Sequence, residues 1–210
     1  ETEFIQAQSD AHGMANAIVA FCNLTSENAQ ASLDAHQQFA NVRGVRQIVG
    51  RDALEDAKNG TNALLGNPKF VEGLKTLEGR NLSFDLQLTP PLLPAAAKLF
   101  KSTENVSVAI CHAGSPQDFT KDGLRDWQAG LKSFAEHGNA ICKISGFGMF
   151  DHDWTVESIR EKIIRVIDIF TPGRVAFGSN FPVDKLTASY ADTMGAFLEI
   201  TKGFSTHERD

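Results

Sequence analysis

The chain has 210 residues, of which 42% are hydrophobic, and its formal net charge at pH 7 is -6. That length can bury a substantial core and fits one large domain or two small ones. The acidic balance and the lack of any basic run argue against a surface that neutralises nucleic-acid phosphates. No apolar stretch reaches the roughly 18 residues that a membrane span requires. Small-molecule or protein partners are therefore predicted, without nucleic acid or membrane, and a homo-oligomer is left open.

The three cysteines, Cys22, Cys111 and Cys142, lie in or beside apolar strand-like runs and form no CxxC pair. Free cysteines in such runs are usually buried, and an odd number argues against a disulfide framework. We therefore predict reduced core residues in a cytoplasmic protein.

Both ends of the chain are predicted to lie within a longer domain. The first residues, ETEFIQAQSDAHG, contain no Met and no targeting pattern before a helix-like segment begins. Near the other end, Ser205 and Glu208 have the S-x-x-E spacing of a capping box, which marks the start of a helix. The sequence predicts a fragment that lacks the beginning of its domain and the extreme C-terminus, with a frayed polar tail as the alternative for the latter.

Strand-like and helix-like segments alternate along the chain. A helix is predicted at about 27–40 with Ser26 as its N-cap, and helical stripes such as Leu124, Trp127 and Leu131 recur later. The six predicted strands are AIVAFC (17–22), GVRQIV (44–49), LSFDLQL (82–88), VSVAICH (106–112), AICKISG (140–146) and RVAFGS (174–179). Strict alternation of this kind implies parallel strands joined by helical crossovers.

The alternation fits either a doubly wound sheet or a (β/α)8 TIM barrel, and the strand LSFDLQL favours the barrel. Its Ser83, Asp85 and Gln87 share one face while the apolar residues share the other. A central strand of an open parallel sheet would be apolar on both faces. We predict an α/β fold in which residues 1–210 form a single barrel domain holding strands 3 to 8. About two β/α units would then precede residue 1.

Active sites of such barrels lie at the C-terminal ends of the strands, so the polar residues there form the candidate site. They are Arg46, Asp85, Gln87, His112, Lys143, Ser145, Ser179 and Asn180. His112 ends a strand face that is otherwise apolar, which places its imidazole at the top of the strand. The remaining histidines His12, His36 and His137 are predicted to be surface residues, and Asp151-His152-Asp153 a solvated turn.

Two cationic side chains of this set each have two interpretations. Lys143 alternates with Cys142 and Ile144 and is predicted to point towards the barrel axis, where it meets a ligand or forms a salt bridge to Asp85. Arg46 is predicted either to clamp a substrate carboxylate through two hydrogen bonds or to form a structural ion pair near the rim.

Five stretches together carry a family resemblance: GVRQIV, LSFDLQL, CHAGSP (111–116), CKISGFGMFDHDWTVESIR (142–160) and FGSNFPVDKL (177–186). In this order they resemble the amidohydrolase-related TIM-barrel hydrolases, also described as predicted metal-dependent hydrolases. That family includes sugar-acid lactonases and 2-pyrone-4,6-dicarboxylate hydrolase. The resemblance implies a hydrolase that opens a lactone or related cyclic ester by activating water.

The resemblance also implies roles for single residues. Family members usually carry an H-x-H pair on the first strand, which is expected upstream of residue 1, and His112 matches the sixth-strand histidine. Arg46 resembles a carboxylate clamp. Gln87 stands where metal-binding relatives have a histidine, so the cofactor is either a divalent metal, zinc or manganese, or none, and His112 is the one plausible ligand in the chain.

Asn180, like Gln87, departs from the family pattern. The resemblance implies that relatives have an aspartate at this position, which can act as a general base. An amide can orient water or donate to an oxyanion but cannot take a proton, and Asp184 is the nearest carboxylate in sequence.

The first functional hypothesis is a hydrolase. His112, Asn180 and Asp184 would be catalytic, and Arg46, Asp85, Gln87 and Lys143 would bind a small anionic substrate. The second is a ligand-binding or vestigial barrel without turnover, in which Asn180 marks the loss of the base. The third is a metal-dependent decarboxylase, against which Gln87 counts.

Overall fold

The computed structural model describes residues 1–209, in which six strands form one parallel sheet. The strands are β1 (Ile18–Phe21), β2 (Val42–Ile48), β3 (Ser83–Gln87), β4 (Val108–Ile110), β5 (Ala140–Ile144) and β6 (Val175–Phe177). Each strand pairs in parallel with the next along the chain, so their spatial order is their sequence order. All six predicted strands are confirmed, most of them shorter than predicted.

Helices follow the strands and cover one side of the sheet. They are α1 (Thr2–His12), α2 (Ala29–His36), α3 (Ala53–Asn59), α4 (Pro68–Glu78), α5 (Leu93–Lys101), α6 (Lys121–Ala135), α7 (Val156–Phe170), α8 (Tyr190–Ile200) and α9 (Thr206–Arg209). The helix predicted at 27–40 is shorter at both ends, because Asn28 is its N-cap and tight turns after His36 lead directly into β2. Ser26 instead accepts a hydrogen bond from the Asn28 N–H.

The two faces of β3 differ as the sequence predicted. Phe84 and Leu86 are fully buried against the helices, and the Phe84 ring lies 5.7 Å from that of Phe70 on α4 and 6.3 Å from that of Phe100 on α5. Asp85 lies between them in sequence and therefore faces the other side of the sheet. The apolar stripes of α6 and α7 pack into the same core. This core holds the polar face in position.

The polar face is the concave side of a partial barrel. In the described part of the chain β1 and β6 each pair on one edge only. Two apolar side chains on the inward face are open to solvent: Phe21 is 66% exposed and Ile141 is 37% exposed. That two further β/α units complete the barrel, and that residues 1–210 form one domain, stay predictions.

The structure also bears on the predictions made for the chain end, the cysteines and a membrane span. The capping box at Ser205 is present, since the Glu208 N–H bonds to the Ser205 hydroxyl and the Ser205 N–H to the Glu208 carboxylate. Cys22, Cys111 and Cys142 are free and buried. Among residues 1–209, none of the helices is long and apolar enough to cross a membrane. The cytoplasmic location stays a prediction.

The contacts of Phe84 predict a large cost for its removal. Phe84→Ala is expected to lower the free energy of unfolding by about 3–5 kcal/mol, because it leaves a cavity between two helices and the sheet. Urea denaturation followed by circular dichroism measures this change. Leu54→Ala is the matched control: Leu54 is 82% exposed, so its truncation should change stability by less than about 0.5 kcal/mol. Equal losses in both variants would contradict the location of the core.

Candidate active site

The inward side chains of β2, β3 and β5 meet at the C-terminal half of the sheet. Arg46 lies directly beside Asp85 in the register of β2 and β3, so the two side chains leave the sheet on the same face. Gln87 follows Asp85 on that face, and Lys143 reaches it from β5. The sequence predicted one shared face for Asp85 and Gln87 and an inward direction for Lys143, and the structure has Arg46 on the same face. The roles of the four residues stay predictions.

His112 joins this group through an unusual backbone. Val108 and Ile110 of β4 are buried against the helices, so simple alternation would turn His112 to the same side. Instead His112 and Ala113 have φ values of 53° and 52°, in the left-handed region. The chain turns there, and the Trp127 indole N–H fixes the turn by donating to the Ala113 carbonyl at 2.7 Å.

The turn brings the imidazole of His112 between two polar partners. Its Nε2 lies 3.2 Å from Nη2 of Arg46, and its Nδ1 lies 3.0 Å from the hydroxyl of Ser145. The side chain is only 6% exposed. Burial, followed by the charges of Arg46 and Lys143, lowers the pKa of His112 to about 4. The ring is therefore neutral near pH 7.

The ion pair between Lys143 and Asp85 was one of the two interpretations of Lys143. The ammonium Nζ donates to Oδ2 of Asp85, whose side chain is buried. Within residues 1–209 the other oxygen of Asp85, Oδ1, is buried without a hydrogen-bond partner. Lys143 itself remains one-third exposed, so its other hydrogens are open to a ligand.

The sequence reading missed Cys111 as a neighbour of this pair. Its Sγ lies 3.7 Å from Oδ2 of Asp85, and burial together with the Asp85 charge raises the pKa of the thiol to about 12. Cys111 is thus a neutral, weak hydrogen-bond donor to the carboxylate. Its inward direction follows from alternation with Ile110, a signal that the sequence already contained.

Arg46 is held by two residues and does not present the two-point clamp that the sequence allowed. Its Nη2 donates both to Oε1 of Gln87 and to Nε2 of His112. Because both common forks of arginine use Nη2, a ligand meets chiefly the remaining Nη1. We name Arg46, Asp85, Gln87, His112 and Lys143 the cationic cluster.

Asn180 and Asp184 form a second group beside the cationic cluster. The Asn180 amide nitrogen donates to Oδ1 of Asp184 at 2.8 Å. Asn180 has a φ of 54°, a conformation that asparagine tolerates better than most residues. Asp184 is 4% exposed; burial raises the pKa of its carboxyl group, and the hydrogen bond from Asn180 opposes that shift.

A short turn after β5, Phe147–Met149, adjoins both groups. A Cβ atom added at Gly146 would lie 2.8 Å from Nδ1 of His112, and one added at Gly148 would lie 3.5 Å from Cγ of Asp184. Gly146 thus allows the chain to pack closely against the ring of His112, whereas a Cβ atom at Gly148 would first meet the Thr187 hydroxyl. No hydrogen bond joins the Asn180–Asp184 pair to the cationic cluster among the described residues, so a substrate or water would have to link them.

A cavity of about 360 Å³ opens beside the cluster. It is lined by Gln87 and by residues of the loops that follow β2, β3 and β5, including Arg51, Thr89 and Phe150. This volume fits a small molecule. Gln87 belongs to both the cavity and the cationic cluster, which connects the two.

Other predicted positions have structural roles. Ser179 accepts the Phe181 N–H at 3.3 Å and so shapes the turn after β6. The prediction that His137 lies on the surface is wrong: it is 6% exposed and bonds to the Val106 carbonyl at 3.1 Å. His36 bonds to the carbonyl of Phe21 and to Thr2. These contacts join separate elements and involve no side chain of the cationic cluster.

The donor set within residues 1–209 does not fit a metal centre. No group of three or more His, Cys, Asp or Glu side chains converges there. Nε2 of His112, the nitrogen that would bind a metal, already faces an N–H of Arg46. Gln87, which the resemblance places where metal-binding relatives have a histidine, accepts a hydrogen bond from the same guanidinium.

A parallel α/β partial barrel with polar side chains at the C-terminal ends of its strands is the architecture of TIM-barrel enzymes. The model of the Amidohydrolase family matches residues 3–210. The chain therefore belongs to the Amidohydrolase family, as the resemblance of its motifs implied.

Relatives in sequence give the same family. The chain is 36% identical to the uncharacterized protein y4mH of Sinorhizobium fredii, over 100% of this chain and 70% of y4mH. It is 25% identical to an L-fucono-1,5-lactonase of Burkholderia ambifaria, over 87% of this chain and 60% of that protein. The chain thus spans less than two thirds of the length of this lactonase.

Solved structures share the fold. An amidohydrolase of Burkholderia multivorans with bound zinc has a TM-score of 0.87 at 23% identity, covering 99% of this chain and 74% of that one. A structure assigned as a 2-pyrone-4,6-dicarboxylic acid hydrolase of Pseudomonas putida has a TM-score of 0.75 at 17% identity, covering 100% and 72%. These likenesses establish the fold as a TIM-barrel type.

The buried, neutral His112 predicts a pH dependence of stability. Its pKa is lowered from 6.5 to about 4 in the folded protein, so on acidification the unfolded chain binds this proton first. The free energy of unfolding should therefore fall between about pH 6.5 and pH 4, by up to about 1.4 kcal/mol per pH unit from this group. Urea titrations across this range should show a smaller slope for His112→Gln than for the wild type. Equal slopes would contradict the neutral ring.

Proposed function

We propose that this chain carries the site of a hydrolase that opens a lactone or related cyclic ester of a small anionic substrate by attack of water. The observation that carries the proposal is the charge of the cationic cluster. Arg46 and Lys143 are cations, Asp85 is a carboxylate that one of them neutralises, and His112 is neutral near pH 7. One positive charge is left over on a concave face, and it attracts an anion.

The proposed substrate contacts use the N–H groups of the cationic cluster that have no partner within the cluster. Nη1 of Arg46 and the remaining hydrogens of Lys143 are the donors for a substrate carboxylate. The ester carbonyl would then lie in the space between the cluster and Asn180. The cavity next to Gln87 accommodates the rest of a small molecule.

Proton transfer in this proposal belongs to Asp184. Ring opening adds water to the ester carbonyl, breaks the carbon–oxygen bond of the ring and yields a hydroxy acid. The water must give up a proton, which the Asn180 amide cannot accept. A carboxylate whose pKa is raised by burial is a stronger base than an exposed one, and Asn180 holds Asp184 in place and orients the water.

The names of relatives support the lactone as the substrate class. Two of the sequence relatives are L-fucono-1,5-lactonases, at 25% and 26% identity. The chemistry proposed above is common to lactones of sugar acids and of related ring compounds.

One observation favours a second candidate, a ligand-binding protein without turnover. Asp184 is almost fully buried and its Oδ1 is occupied by Asn180. If water does not reach this carboxylate, the cationic cluster would bind an anion without hydrolysing it. Asn180 would then mark the loss of the base.

Removal of one cation should weaken substrate binding more than turnover. In the protein encoded by the complete gene, Arg46→Met is expected to raise KM for an anionic lactone about tenfold to a hundredfold, because a charge-assisted hydrogen bond is lost. A pH-indicator assay of proton release measures the reaction. Lys58→Met, which removes a cation from the exposed surface of α3, is the control and should leave KM unchanged. An unchanged KM in Arg46→Met would contradict the proposed substrate site.

Asn180→Asp distinguishes the hydrolase from the ligand-binding protein. If the wild type is a hydrolase, this variant should lose activity about tenfold or more, because a second carboxylate repels Asp184 and removes the oriented amide. The same proton-release assay with a panel of lactones measures both proteins. A silent wild type together with an active Asn180→Asp variant would establish the second candidate instead.

A further inference from the structure

We infer that His112 is a positioning residue: its Nε2 accepts a hydrogen bond that fixes the guanidinium of Arg46, and it does not act as an acid, a base or a metal ligand. The sequence hypothesis counted this imidazole among the catalytic groups. The inference deepens the proposed function, since it assigns Arg46 a fixed orientation towards the substrate, but its structural part stands without any turnover.

The tautomer of His112 follows from the chemistry of its two neighbours. A guanidinium carries donors only, so the contact of 3.2 Å between Nη2 of Arg46 and Nε2 requires an unprotonated Nε2. In a neutral imidazole the proton is then on Nδ1. That N–H donates to the hydroxyl of Ser145 at 3.0 Å. With Nε2 accepting and Nδ1 donating inside the protein, neither nitrogen is free to donate to a substrate carbonyl.

The ring is also held sterically. The Trp127 contact fixes the left-handed turn that carries His112. Gly146 passes so close that a Cβ atom there would lie 2.8 Å from Nδ1 and 3.1 Å from Cγ of the ring. His112 is 6% exposed, and the close backbone of Gly146 restricts the rotation of the ring that would expose Nε2.

Arg46 depends on this arrangement for its direction. The two hydrogens of Nη2 go to Gln87 and His112, which lie on neighbouring strands. Two fixed acceptors define the plane of a guanidinium, whereas one acceptor leaves it free to rotate. His112 and Gln87 therefore direct Nη1 away from the sheet and towards a ligand.

The same contact makes His112 a poor metal ligand in this chain. A divalent ion at Nε2 would have to displace a guanidinium that itself carries a positive charge. Two cations cannot share the lone pair, so zinc binding at His112 requires Arg46 to leave.

Nitrogen-15 NMR of the histidine rings tests the tautomer directly. In the labelled full-length protein at pH 7, the ring of His112, identified by its loss in His112→Gln, should show the neutral Nδ1–H pattern. Addition of one equivalent of zinc chloride should leave that pattern unchanged. An Nε2–H tautomer, a doubly protonated ring or a zinc-induced shift of the His112 signals would overturn the inference. This outcome does not depend on catalysis, so it stands even if no lactone is hydrolysed.

Kinetics of two substitutions test the positioning role. His112→Gln keeps an acceptor near the place of Nε2 but cannot be protonated, so its KM should rise less than that of His112→Leu. His112→Leu removes the acceptor and should raise KM about tenfold, as Arg46→Met does, with a smaller effect on kcat. A loss of kcat of about a hundredfold or more in both variants would identify an acid–base role instead.

Folding of the leucine variant is checked by circular dichroism and urea denaturation. If His112→Leu fails to fold, Gln87→Leu removes the other acceptor of Arg46 and should give the same rise in KM. An unchanged KM in Gln87→Leu, with the protein folded, would overturn the positioning of Arg46.

Discussion

The alternation of side chains along parallel strands is the constraint on which this site depends. On β3 it directs Phe84 and Leu86 into the helices and Asp85 and Gln87 to the inner face. The aromatic contacts of Phe84 with α4 and α5 hold the strand, and a slip by one residue would exchange the two faces. The apolar core and the charged site are therefore two consequences of one register.

Charge compensation on the inner face sets the protonation of its members. Asp85 lies between two cations and neutralises Lys143 most closely. Burial, together with the remaining positive charge of Arg46, disfavours a proton on His112. A neutral imidazole can then accept from the guanidinium, which keeps Arg46 extended. Arg46 thus disfavours protonation of His112, the residue that positions it. Near neutral pH the neutral ring and the fixed guanidinium therefore stabilise each other.

Much of the fold was predictable because its signals are local and periodic. Strand positions, the inward direction of Lys143, its pairing with Asp85 as one of two options and the apolar stripes of α6 and α7 all follow from spacing along the chain. The orientation of His112 was not predictable, because it depends on a left-handed turn at two non-glycine residues. The burial of His137 was missed for a related reason: its partner, the Val106 carbonyl, is 31 residues away in sequence.

The role of Arg46 shows a further limit of spacing arguments. A lone arginine at a strand end suggests a two-point clamp, but which of its nitrogens remain open depends on neighbours from two other strands.

The pair of Asn180 and Asp184 shows the converse, because a spacing of four residues across a turn does indicate contact. The amide directs an N–H towards the carboxylate, and its carbonyl oxygen is then the atom that can accept a hydrogen bond from water. A water molecule held by that oxygen would present its lone pairs to an electrophile and its second hydrogen to a carboxylate. An amide at position 180 is thus compatible with hydrolysis provided that Asp184 supplies the negative charge that the amide lacks.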